Sequence, residues 1–77
     1  MPRLLFYTTL GCHLCENAAA LLDQVRASRA VEIETIDIVT DSYLVEAYGI
    51  KIPVVANAES GEELAWPFEL EQLLSLF

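Results

Sequence analysis

The chain has 77 residues, of which 55% are apolar and 21% charged, and only two are cysteine. That is enough for one small domain held by a hydrophobic core; it is too apolar for a disordered chain and too poor in cysteine for a disulfide-built scaffold. Four Lys/Arg against twelve Asp/Glu leave a net charge of −8, which repels phosphate backbones and anionic membranes, so neither nucleic acid nor membrane is an expected partner.

The first predicted element is a strand at Leu4-Leu5-Phe6-Tyr7-Thr8, a continuous apolar and aromatic run of the kind buried on both faces. The stretch from Met1 to Thr9 has too short an apolar run for a signal peptide, and no segment reaches the length of a membrane span, so a cytoplasmic location is expected. From Leu14 the spacing turns helical: Leu14, Ala18, Leu21, Leu22 and Val25 recur at three and four, Glu16 falls in the first turn, and Arg26 and Arg29 fall near the end. Val31 to Val39 is rich in β-branched residues, with Val31 and Ile33 in one phase and Ile36 and Ile38 in the other, as a strand carrying a bulge would show. Asp41-Ser42 offers an N-cap for a short helix to about Tyr48, ended by Gly49. Ile52 to Ala56 reads as a third strand with proline near its start, and Glu62 to Ala65 as a short, charged edge strand after a turn at Asn57 to Gly61. Pro67 suits the first position of a last helix whose apolar face is Phe68, Leu70, Leu73, Leu74 and Phe77.

The order β-α-β-α-β-β-α over residues 1 to 77, a single domain, implies an α/β fold. Its first β-α-β unit makes a right-handed crossover between parallel strands, and a closing hairpin completes a four-stranded mixed sheet with helices on both faces. Chemistry in such sheets gathers beyond the carboxyl ends of the parallel strands, where Gly11-Cys12-His13-Leu14-Cys15-Glu16 falls.

C-x-x-C serves redox enzymes and metal sites alike. At the amino end of a helix beginning near His13, the Cys12 sulfur meets free N–H groups and the positive end of the dipole, which favour thiolate and make Cys12 the attacking residue. Cys15, one turn on, is placed to resolve a mixed disulfide formed on Cys12. A closed zinc site needs about four ligands and the chain offers two cysteines and one histidine, so no metal is expected within one chain. An iron–sulfur cluster shared between two chains remains open as a rival, as do a pair of buried thiols and a non-catalytic adaptor. His13 reads either as an imidazolium that lowers the Cys12 pKa further or as an exposed turn residue. Trp66 reads as core or as a shield over the cysteines, while Phe6 and Tyr7 read as core.

Phe6-Tyr7-Thr8-Thr9 before the cysteine motif, Tyr48-Gly49-Ile50-Lys51-Ile52-Pro53-Val54-Val55 and Leu64-Ala65-Trp66-Pro67-Phe68 follow one another through nearly the whole chain. Together they resemble the small bacterial glutaredoxin-like proteins of the thioredoxin superfamily. The resemblance implies a thioredoxin-like fold and disulfide oxidoreductase activity, with Cys12 and Cys15 catalytic. It also implies a cis Ile52-Pro53 bond facing the cysteines, where the Ile52 backbone pairs with an extended substrate, and Lys51 and His13 as further substrate contacts. No bound cofactor is implied. The expected partners are protein or small-molecule disulfides and an external reductant, glutathione or a thioredoxin reductase, acting on a monomer. Two pieces depart from glutaredoxins that use glutathione: the lysine before the cysteine motif is replaced by Thr8-Thr9-Leu10, and the Gly-Gly-x-Asp turn before the last helix by Leu64-Ala65-Trp66-Pro67.

Overall fold

The computed structural model describes residues 1–77. β1 (Arg3–Thr8) leads into α1 (His13–Ser28), β2 (Glu32–Asp37), a 3₁₀ turn at Ile38–Thr40, α2 (Ser42–Tyr48), β3 (Val54–Asn57), β4 (Glu63–Ala65) and α3 (Leu70–Ser75). The four strands form one sheet in the order β2-β1-β3-β4. β1 pairs in parallel with β2 and antiparallel with β3, and β3 pairs antiparallel with β4. The apolar run of β1 thus occupies a central strand, and charged β4 lies at an edge, as their compositions require.

Each face of the sheet buries one phase of the strand residues. Leu4 and Phe6 of β1 and Val55 of β3 join Cys15, Ala18, Leu22 and Val25 of α1 and Leu73 of α3 in a core of ten buried residues. On the other face Tyr7, Ile38, Val54 and Ala56 form a smaller core of four, with Leu44 and Tyr48 packed on it. The two phases of β2 find their explanation here. Ile33 packs against the larger core and Ile36 against the smaller, and the register runs unbroken from Arg3↔Glu32 to Thr8↔Asp37, so the strand contains no bulge. A strand covered on both faces places apolar residues in both phases without any irregularity.

Two helix readings change. The buried stripe of α1 starts at Cys15 and runs through Ala18, Leu22 and Val25 at spacings of three and four, while Leu14, which the period also admits, is 47% exposed. α3 begins at Leu70 rather than at Pro67: Trp66-Pro67 is a cis bond, and the helix is capped by Glu69, whose backbone N–H donates to the Gln72 side-chain carbonyl at 2.8 Å while its carboxylate accepts from the Gln72 backbone N–H. Phe68 therefore enters the core from the turn ahead of the helix, where it is 4% exposed. α2 keeps its expected bounds, with the Asp41 carboxylate accepting from the Tyr43 N–H at 2.9 Å. Gly49 closes that helix in right-handed conformation (φ −51°) and so is no left-handed cap; a Cβ there would collide with the Val45 carbonyl oxygen.

Candidate active site

β1 ends at Thr8 and α1 starts at His13, so four residues turn the chain from sheet to helix, and Gly11 makes the turn with φ +80°. That value suits glycine, because a Cβ at positive φ meets its own backbone. Cys12 is thereby set as the N-cap of α1, in extended conformation (φ −93°, ψ 104°). Its sulfur accepts a hydrogen bond from the Cys15 backbone N–H at 3.2 Å. The position occupied by a serine or aspartate oxygen in ordinary caps is taken here by sulfur, next to the unpaired N–H groups of the first turn. An anion on that sulfur is stabilised by the hydrogen bond and by the helix dipole.

Cys15 sits one turn further on, and the two are joined as a disulfide with Cα atoms 5.2 Å apart. Their environments differ. Cys15 is 4% exposed within the larger core, whereas Cys12 is half-buried at the surface of the same cluster. Cys12 is thus the more exposed of the two cysteines.

His13 points to solvent, its side chain 94% exposed, with Nδ1 3.3 Å from Glu16 Oε2. His13 is thus an exposed residue at the first position of α1. Trp66 is half-buried against the larger core and meets Phe68 edge to face, with centroids 5.2 Å apart.

The disulfide opens onto a cleft of about 290 Å³, walled by Phe6, Thr8, Thr9, Leu10, Gly11, Cys12, His13, Cys15, Glu16 and Ala19. Sequence reading did not assign Thr8, Thr9 and Ala19 to it. Ala19 was findable, since it lies four residues beyond Cys15 and so on the same helix face; the part played by Phe6, a core residue that also forms a wall, was not. Lys51, Ile52 and Pro53 are absent from these walls. They lie on the other side of β1: β3 is antiparallel to β1 with Tyr7 opposite Val54, so Pro53 falls at the same end of the sheet as Thr8. The Ile52-Pro53 bond is cis, Pro53 is fully buried, and Lys51 is exposed. The Ile52 N–H donates to the Tyr48 carbonyl at 3.0 Å.

Next to this loop lies a group that sequence reading missed. The Tyr48 ring stacks on Tyr7, centroids 4.3 Å apart and planes 16° from parallel, and its hydroxyl donates to the Glu63 carboxylate on β4. That bond holds the Tyr48 pKa above the ordinary phenol value, with burial and the Glu63 charge acting in the same direction.

Residues 3–77 match the family model described as a glutaredoxin-like domain (DUF836). The chain belongs to that family. No curated protein matches it. Among solved structures, the glutaredoxin-like domain is similar to protein XcR50 from X. campestris, with 38% identity over 94% of this chain and 91% of that one and a TM-score of 0.78. It is also similar to protein Ne2328 from Nitrosomonas europaea, with 27% identity over 96% and 88% of the two chains and a TM-score of 0.82. Thioredoxin 1 from Thermosipho africanus, 15% identical over 96% and 88% of the chains with a TM-score of 0.72, shares the fold. The glutaredoxin-like domain is thus a small thioredoxin-superfamily protein with a thioredoxin-like α/β fold, and no helix in it is long and apolar enough to cross a membrane.

Proposed function

We propose that this glutaredoxin-like domain is a dithiol–disulfide oxidoreductase in which Cys12 is the nucleophile and Cys15 the resolving thiol. One observation carries the reading: the Cys12 sulfur is the N-cap of α1 and accepts the Cys15 N–H at 3.2 Å. In the reduced protein the Cys12 thiolate attacks one sulfur of a substrate disulfide, forming a mixed disulfide and expelling the other sulfur as thiolate. Cys15 then attacks the Cys12 sulfur, releases the second substrate thiolate and leaves the Cys12–Cys15 disulfide. Two electrons have passed from the protein to the substrate. An external reductant, glutathione or a thioredoxin reductase in a cytoplasmic setting, returns the pair to dithiol, and the protein needs no bound cofactor for any step.

The Ile52 carbonyl offers a hydrogen bond to an extended substrate, and Lys51 and His13 flank the approach. No three His, Cys, Asp or Glu side chains cluster in the chain to hold a metal ion, so a cluster-binding role would need ligands from a second chain or from free thiols.

The test is disulfide reduction by three proteins: wild type, Cys12→Ser and Cys15→Ser. Loss of turnover in Cys12→Ser, with mixed disulfides accumulating on Cys15→Ser, is the expected result; equal turnover by wild type and Cys12→Ser refutes the proposal.

A further inference from the structure

The few cations of this molecule lie mostly far from the disulfide. Of its four Lys/Arg, three lie away from the disulfide. Arg3 opens β1, five residues before Thr8 and so roughly 16 Å from the strand's end, and is paired with Glu34. Arg26 lies in the last turn of α1, roughly 20 Å along the helix from His13, and is paired with Asp23 at 3.1 Å. Arg29 caps the same helix end with its guanidinium 5.7 Å from the centre of the Phe77 ring. Lys51 alone among them stands at the disulfide end, exposed and without an ion-pair partner.

Acidic groups at that end outnumber it. Glu16 forms part of the cleft wall, Asp37 ends β2 opposite Thr8, and Glu69 follows the cis Trp66-Pro67 turn beyond the end of β4. The segments around the cysteines also carry bare apolar side chains: Leu10 is 92% exposed on the cleft wall, Leu14 47% exposed between the cysteines in sequence, and Ile50 wholly exposed in the loop leading to Pro53.

We propose that the disulfide brought to Cys12 belongs to a cationic polypeptide, with basic side chains flanking the disulfide and an apolar one to lie over Leu10 and Leu14. The inference rests on the redox reading above and names its substrate class. An acidic rim raises the local concentration of a cationic partner and lowers that of an anionic one, and the effect on encounter rates reaches tenfold or more at low salt. Glutathione disulfide, which is anionic, is on the wrong side of that field, and Lys51, one cation against three acids, does not reverse it.

The experiment uses two synthetic peptides with the same central disulfide, one flanked by lysines and one by glutamates. The protein is first reduced with dithiothreitol and freed of it. Second-order rates are measured at about 10 mM and 1 M salt, where the Debye lengths are ~30 Å and ~3 Å. Dividing each rate by that of the same peptide with free dithiothreitol removes intrinsic differences in disulfide reactivity. The lysine peptide is expected to react about tenfold faster at low salt, with the ratio falling toward one at high salt and shrinking in Glu16→Gln. Equal normalised rates at low salt, or a faster glutamate peptide, overturn the inference while leaving the redox reading intact. Reduction of neither peptide overturns the redox reading, and the inference with it.

Discussion

At the scale of single residues, the site depends on what Gly11, Cys12 and Tyr48 each do to their backbone or their proton. Cys12 is both nucleophile and helix cap, and the two roles separate by substitution. In the reduced protein Cys12→Ser keeps a capping oxygen while Cys12→Ala removes it, so urea denaturation is expected to show the alanine variant less stable by about 1 kcal/mol, with both inactive. Gly11→Ala is expected to cost about 1 kcal/mol as well; since nothing within 4 Å opposes a Cβ there, the cost is that of positive φ alone. Tyr48 governs the alkaline side. Its hydroxyl donates to Glu63, so its folded pKa stands above the unfolded value of 10.0, and the folded chain keeps this proton after the unfolded chain has lost it. The resulting stability is fully present below pH 10 and is lost as pH rises beyond it. Stability measured by urea at a series of pH values is expected to fall above pH 10 in wild type and to fall less steeply in Tyr48→Phe; parallel curves would contradict the assignment.

At the scale of elements, Leu22 anchors α1 to the sheet at 2% exposure, and Leu22→Ala is expected to cost about 2–5 kcal/mol by the same denaturation assay. This helix also shows how far the sequence could be read. Its presence and start were legible because Ala18, Leu22 and Val25 keep a helical period behind a polar turn. Its inward face was placed one residue early: Leu14 and Cys15 lie four and three residues before Ala18, so the helical period admits both, and it is packing against the sheet that buries Cys15 and leaves Leu14 half exposed. The parallel pairing of β1 with β2 followed from the β-α-β order, and the edge position of β4 from its shortness and charge. The two phases of β2 were visible too, but that they meant two covered faces and not a bulge depends on Leu44 and Tyr48, residues distant in sequence. Pro67 suited a helix start by local preference, and the cis Trp66-Pro67 bond with the Glu69 cap displaced it to Leu70. Ile52-Pro53 was expected to be cis from family likeness alone, since roughly one X-Pro bond in twenty is cis. The cysteines of the site were legible because they are contiguous in sequence; the stacking of Tyr7 on Tyr48 and the reach to Glu63 were not, because three separate elements meet there.

At the scale of the whole molecule, a net charge of −8 is spread over 4751 Å² of surface. Such self-repulsion works against the compact state and is screened by salt. Raising sodium chloride from about 10 mM to 0.5 M is accordingly expected to raise the Tm, by roughly 5 °C for each 1 kcal/mol of repulsion removed. A fall in Tm over that range would show that the ion pairs of Arg3 and Arg26 outweigh the repulsion. The two faces of the sheet also differ in thickness: ten buried residues lie under α1 and α3, four on the α2 side, and α2 itself contains no buried residue. Thin cover means cheap local opening. Amide protons of Val45 to Tyr48 should exchange with deuterium through partial openings, while those of Leu22 and Val25 wait for global unfolding. The polypeptide would then have a partly open form that has shed α2 and freed the Ile52 N–H from Tyr48, yet still holds Cys12 at the head of an intact α1.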